Sequence, residues 1–212
     1  MSTTPKSIIT PEEYLRLERN SEVRSQYFRG EMFAMTGATP SSAGRYAMSG
    51  MSRSRAHNLI CANVLASVHR QFDGRPCEVY QSDMRVKVSG SGLYTYPDVV
   101  ATCESPQFED QEVDTLLNPQ AIVEVLSKST EAYDRGDKFR HYRDIDSLQD
   151  YVLISQDKHR VERFSRQDDG QWLMWSTEDL NSVLAIPSID CELTISDIYS
   201  RVDFDEPEPD AS

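Results

Sequence analysis

Two acidic residues, Asp98 and Glu124, have surroundings that suit chemistry. Glu124 lies inside the run Ala121-Ile122-Val123-Glu124-Val125-Leu126, which is closed by Ser127, Lys128, Ser129 and Thr130. A short apolar run ended by polar residues reads as a strand covered on both faces. A carboxylate in such a strand is costly unless something compensates it. An Arg or Lys partner would serve, as would a wet edge strand, or a metal ion. Asp98 follows Tyr96-Pro97 and opens the preceding apolar strand, with residues 99–123 between the two acids. If these strands are neighbours, both carboxylates converge on one point. Two carboxylates, a backbone carbonyl and water make the ligand set that a hard cation such as Mg²⁺ prefers. Such an ion acidifies water and shields the charge of a phosphate under attack. The plainer alternative for Asp98 is a turn, since Pro and Asp are both turn formers.

The elements that must position these residues can be read along the chain. Thr10, Pro11 and Glu13 form a capping-box signature that starts a helix. The apolar stretches either side of Arg29-Gly30 suit a hairpin. Residues 57–72 carry a helical stripe of Cys61, Leu65, Val68 and Phe72, widened by Ile60 and Val64. From Cys77 to Val88 the pattern alternates like a strand, with Met84, Val86 and Val88 on one face and Asp83, Arg85 and Lys87 on the other. A strand over 120–126 is followed by a helix for which Asp134 and Asp137 are suitable first-turn residues. Residues 150–155 and 161–166 read as strands, the second paired with 171–177 across Asp169-Gly170. This order predicts an α/β fold, a mixed central sheet flanked by helices around one core.

Composition narrows the function classes. With 212 residues, 38% of them hydrophobic, the chain suits one domain over residues 1–202. The start has no apolar leader and no stretch approaches the ~20 apolar residues of a membrane span, so a soluble, cytoplasmic protein without a membrane partner is expected. Cys61, Cys77, Cys103 and Cys191 form no CxxC pair, and reduced, mostly buried thiols are the default. The formal charge of −13 argues against a protein that coats nucleic acid. Part of that charge belongs to residues 203–212, a stretch of acids without a base that reads as a solvated, disordered tail. Between Arg45 and Lys87 bases outnumber acids, which allows a locally basic face. Residues 34–43 and 47–56 echo each other, and 38–56 reads as an inserted Gly/Ser-rich loop. There is no G-x-S-x-G elbow and no organised Cys/His pair, so a serine or cysteine hydrolase is set aside.

The order Tyr96-Pro97-Asp98 followed by Glu124 in an apolar strand resembles the PD-(D/E)XK nuclease superfamily. Within it, residues 84–100, 116–143 and 147–164 resemble the Uma2 family of restriction-endonuclease-like domains, and the resemblance runs from about Thr10 to Val202. It implies a restriction-endonuclease-like fold and a Mg²⁺-dependent DNA endonuclease in which Mn²⁺ can substitute and Asp98, Glu124 and the Val125 carbonyl hold the metal. The superfamily pattern has Lys two positions after the second acid, where this chain has Leu126. Some members carry the lysine on the following helix, so Lys138 takes the catalytic role here and Lys128 ranks second. The plain reading of Lys138 is a surface pair with Asp134, four residues earlier. Asp83 is a secondary metal candidate, better explained by a pair with Arg85. His57 is an outside candidate to position water or contact phosphate, packing or capping being its ordinary use. The resemblance also suggests a homodimer that addresses both strands. The alternative is a catalytically silent nuclease fold kept as a binding or interaction module, favoured by Leu126 and by the acidic charge.

Overall fold

The computed structural model describes residues 8–35 and 54–204. Residues 36–53, which hold most of the echoed stretches and of the 38–56 insertion, and the tail beyond 204 lie outside the described residues.

Helix α1 (Pro11–Glu18) starts as its capping signature requires, the Thr10 hydroxyl accepting the N–H of Glu13 at 3.2 Å. The hairpin β1 (Ser25–Phe28) and β2 (Glu31–Ala34) turns through positive φ at both Arg29 and Gly30. That is the arrangement whose twist matches paired strands. Helix α2 (Arg55–Gln71) is capped by Ser54, which accepts the His57 N–H, and it buries Ile60, Val64 and Val68. Cys61 and Leu65, expected in the buried stripe, pack at its margin.

The alternating stretch 77–88 is two strands. β3 (Glu78–Gln81) and β4 (Arg85–Val88) are separated by a turn and belong to different sheets. The turn at Ser82-Asp83-Met84 interrupts a pattern that period two alone reads as continuous. Then come β5 (Leu93–Thr95), β6 (Val99–Thr102), β7 (Thr115–Leu116) and β8 (Ala121–Leu126). A helical segment follows as α3 (Glu131–Tyr133), a π-helical turn over Asp134–Lys138 and α4 (Phe139–Tyr142). It begins before the Asp134 start expected from charge alone. β9 (Asp150–Ser155), β10 (Val161–Arg166) and β11 (Trp172–Thr177) come next. The sequence reading assigned no element to the stretch after them, which forms the hairpin β12 (Val183–Ile186) and β13 (Cys191–Thr194) and the short helix α5 (Ile195–Ile198).

The central sheet is mixed, in the order β11-β10-β9-β8-β6-β3, with β8 and β9 parallel. A second sheet runs β2-β1-β5-β4-β7, and β12 pairs with β13 alone. Strand β8 is buried on both faces, as its apolar run predicts. Val123 and Val125 join Ile60, Val64 and Leu184 in one apolar cluster, while Ile122 and Leu126 join Val86, Leu93 and Tyr151 in another. The two faces of β8 thus feed two apolar clusters, and a third gathers Tyr14, Leu15, Tyr27 and Tyr94. The fold is the expected α/β arrangement of mixed sheets flanked by a few helices.

Cys77 and Cys103 form a disulfide, against the expectation of reduced thiols. The reason is tertiary: the antiparallel register sets Glu78 opposite Thr102, which brings the residues just outside the pair together. Neither Cys61 nor Cys191 is part of a disulfide. No described helix is long and apolar enough to cross a membrane.

Candidate active site

Strands β6 and β8 are antiparallel neighbours, and their register ends at Val99 opposite Val123. Where the ladder ends, a side chain takes over: Asp98 Oδ2 accepts the N–H of Val125 at 2.9 Å. In an antiparallel ladder one residue directs its N–H and C=O to the same neighbour. The Val125 carbonyl therefore points toward Asp98 as well, and Pro97 has no N–H with which a continued ladder could claim it. The Pro-Asp pair thus ends the pairing, places a carboxylate there and leaves a carbonyl directed at the gap. Asp98, Glu124, Val125, Asp134 and Lys138 line one cleft with Gln26, Tyr96 and Tyr133.

The compensation of Glu124 comes from the helical segment after β8. Glu124 is 4% exposed, and its Oε1 lies 2.7 Å from Lys138 Nζ and accepts the Tyr142 hydroxyl at 2.9 Å. Lys138 also lies 3.2 Å from Asp134 Oδ1, so the i,i+4 pair exists, but it is buried and shared with the strand. The π-helical turn that ends at Lys138 changes the angular spacing of this segment, a deviation often found at functional sites. Tyr142 sits one turn beyond Lys138 and aims at the same oxygen.

Three buried carboxyl groups, Asp98, Glu124 and Asp134, face the one ammonium of Lys138 in the cleft. Burial pushes the Glu124 carboxyl up to about 8, the charges of Asp134 and Asp98 adding to the effect and Lys138 opposing it. For Asp98 burial also acts upward, but the His57 ring, the Val125 N–H and Lys138 outweigh it and hold the group below its ordinary value. Burial likewise opposes the Lys138 ammonium, yet Asp134 and Glu124 hold it well above the usual lysine range. Two neighbouring acids with opposed shifts are characteristic of functional sites.

The surroundings hold this geometry. Tyr96, two residues before Asp98, accepts from Arg85 Nε at 2.9 Å and donates to Glu18 Oε1 at 3.0 Å, and all three are buried. The amide of Gln26 donates to the Tyr133 hydroxyl across the cleft. His57 is buried, with Nε2 3.2 Å from Asp98 Oδ1. It neither caps its helix nor faces solvent; it stands against the carboxylate.

The remaining candidates stay apart. Lys128 is exposed in the turn after β8 and does not line the cleft. Asp83 is exposed and pairs with Arg24 at 3.3 Å, not with Arg85. Arg85 points inward to Tyr96 and Thr115 because it is buried with them. Among the described bases of the 45–87 stretch, Arg55 and Arg70 are exposed, while Arg85 is buried, Lys87 pairs with Glu109, and Arg75 donates to the carbonyls of Ile189 and Asp190. Arg45 and Arg53 lie outside the described residues. Tyr142 and Asp134 were not expected in the site. Their signal was the i,i+4 series Asp134-Lys138-Tyr142, which reads equally well as surface pair and core.

The family model described as "Uma2: Putative restriction endonuclease" matches residues 11–196. Two Synechocystis sp. proteins are similar along nearly their full length. "Uncharacterized protein slr1290" is 32% identical over 202 residues, 95% of this chain and 97% of that protein. "Uncharacterized protein sll1609" is 33% identical over 174 residues, 82% of this chain and 90% of that protein. Among solved structures, one described as "a putative nuclease belonging to DUF820" from Anabaena variabilis superposes with a TM-score of 0.65 at 19% identity. That likeness covers 91% of this chain and 98% of the other, and it shows a shared fold. The chain belongs to the Uma2 family of restriction-endonuclease-like proteins.

Proposed function

We propose that the protein is a Mg²⁺-dependent DNA endonuclease that hydrolyses phosphodiester bonds, with Mn²⁺ able to substitute. Family membership supports a nuclease. The observation that carries the finer reading is the convergence of Asp98, Glu124, Val125 and Lys138 on one cleft at the end of the β6–β8 pairing. Asp98, Glu124 and the Val125 carbonyl are oxygen donors, which suits a hard cation. Burial and the neighbouring acids raise the Glu124 carboxyl to about 8, a condition that a bound cation would relieve. Bound there, Mg²⁺ supplies an acidified water and a counter-charge for the phosphate.

The chain's own residues do the rest. The Val125 N–H keeps Asp98 oriented, and the His57 ring together with that N–H and Lys138 favours its ionised form against burial. Tyr142 and Lys138 hold Glu124 in one rotamer. Lys138, reaching the cleft from the helix, offers its ammonium to the extra negative charge that builds on a phosphate during displacement. It does so from a different element than a lysine at position 126 would. Buried among apolar neighbours, Leu126 does not face that task.

One observation favours the silent alternative. Glu124 is already neutralised by Lys138 and Asp98 already bonded to Val125, so the acids have partners without a metal. The test is DNA cleavage with Mg²⁺ or Mn²⁺, comparing the wild type with Asp98→Asn and Glu124→Gln, circular dichroism checking the fold. Metal-dependent nicking or cutting that drops at least a hundredfold in both folded variants is expected. Folded wild-type protein without metal-dependent cleavage of single- or double-stranded DNA overturns the enzymatic reading in favour of the silent one. A homodimer would present two clefts to two strands, and sedimentation of the full chain measures that assembly.

A further inference from the structure

His57 and Cys61 sit one turn apart near the start of α2, so their side chains share a face. That face meets Asp98. One ligand atom from each of His57, Cys61 and Asp98 lies within 4.8 Å of the others. His57 Nε2 is buried and ion-paired with Asp98 Oδ1 at 3.2 Å. The ring nitrogen, the carboxylate oxygen and the Cys61 sulfur thus converge on one small space, a donor set that a shared cation can take. Tetrahedral Zn²⁺ with N, S and O ligands at their usual bond lengths spaces the ligand atoms by roughly 3.3–3.6 Å. The His57–Asp98 separation of 3.2 Å is already near that value, and Cys61 lies within 4.8 Å of both.

We propose that His57, Cys61 and Asp98 form a second metal site that takes a thiophilic divalent ion of the Zn²⁺ class. Imidazole and thiolate select such ions over Mg²⁺, which prefers oxygen alone. Three protein ligands leave one position for a fourth donor. Binding releases the Cys61 proton to solvent, as coordination of a thiol requires. Asp98 belongs to both ligand sets. Filling the His57-Cys61-Asp98 site therefore withdraws one carboxylate from the Asp98–Glu124 pair, and Zn²⁺ acts as an inhibitor of the Mg²⁺-supported reaction. The inhibition rests on the nuclease reading; the binding does not.

The test uses full-length, metal-free protein titrated with Co²⁺, whose thiolate ligation gives a charge-transfer absorption in the near ultraviolet. The expected result is a band that saturates at about one equivalent, is displaced by Zn²⁺, disappears in Cys61→Ser and persists in Cys191→Ser. Cys61→Ala serves as a second variant, with circular dichroism verifying both folds. A wild-type protein without the band, or a band that survives in Cys61→Ser, overturns the site. In the cleavage assay, Cys61→Ser should need at least tenfold more Zn²⁺ than the wild type for half inhibition. Equal sensitivity to Zn²⁺ overturns the inhibitory role. A cobalt band in a protein that cleaves no DNA with any metal removes the nuclease reading and leaves the site standing.

Discussion

Lys138 Nζ lies 2.7 Å from Glu124 Oε1 and 3.2 Å from Asp134 Oδ1, so one buried ammonium ties a carboxylate of β8 to a carboxylate of its own helical segment. A lysine placed two residues after the acid would have approached from the strand. Here it comes from the helix packed above the strand, and Tyr142 reinforces it on the same oxygen. Glu124 is tolerated in an apolar strand because these two side chains meet it.

Removing the ammonium leaves the carboxyl groups buried without their cation. Lys138→Met should lower unfolding free energy by roughly 3–5 kcal/mol. The double variant Glu124→Gln/Lys138→Met should recover part of that loss, since the charge to be compensated is gone. Urea denaturation measures both, and a single variant within about 1 kcal/mol of wild type would contradict the bridge.

Stability should depend on pH through Glu124. Its folded carboxyl titrates at about 8 against an ordinary 4.5, so the folded state holds more protons between these values. Stability is then full below the ordinary value and declines as pH rises through about 8. Asp98 has the opposite sign, contributing above its ordinary value of 3.8 and losing its contribution as pH falls through its lower folded value. Metal-free protein should be less stable at about pH 8 than at about pH 5, by on the order of a few kcal/mol and with a correspondingly lower melting temperature, and Glu124→Gln should flatten that difference. Thermal melts across this range decide it, and a variant as pH-dependent as the wild type would be the wrong outcome.

Tyr142 bears on the same carboxylate. Tyr142→Phe keeps the ring among its apolar neighbours and deletes one hydrogen bond to Glu124, at an expected cost of about 1–2 kcal/mol. Chemical denaturation should show that loss with unchanged denaturant sensitivity.

Leu126 tests whether the lysine has truly been relocated. It is buried in the cluster with Ile122 and Tyr142, so Leu126→Lys introduces an unpaired charge into a packed layer. A loss on the order of 3 kcal/mol or more is expected, with no gain in cleavage. A folded, more active Leu126→Lys protein would show that position 126 reaches the cleft.

The Cys77–Cys103 disulfide closes a segment of sequence separation 26 at the edge of the central sheet. Loop closure on that scale is worth about 3 kcal/mol. Cys77→Ser/Cys103→Ser should therefore unfold at lower denaturant concentration than the oxidised wild type, and a reductant should shift the wild type to the same midpoint.

The sequence by itself determined the local elements and the two acids. Thr10 and Glu13 started α1, Arg29-Gly30 turned the first hairpin, and the apolar run around Glu124 formed a strand buried on both faces. These are properties of neighbouring residues, set by capping, turn geometry and alternation. What joins distant residues was decided by the tertiary structure. The turn at Ser82-Asp83-Met84 sends β3 and β4 into different sheets, which periodicity cannot reveal because alternation continues across it. The β3–β6 register, not cysteine spacing, brings Cys77 to Cys103. The approach of α2 sets His57 and Cys61 against Asp98, and the π-helical turn brings Lys138 to Glu124. An acid in an apolar strand announces that a partner exists. Which partner it has depends on the packing of a helix over that strand, and packing is a property of the whole chain.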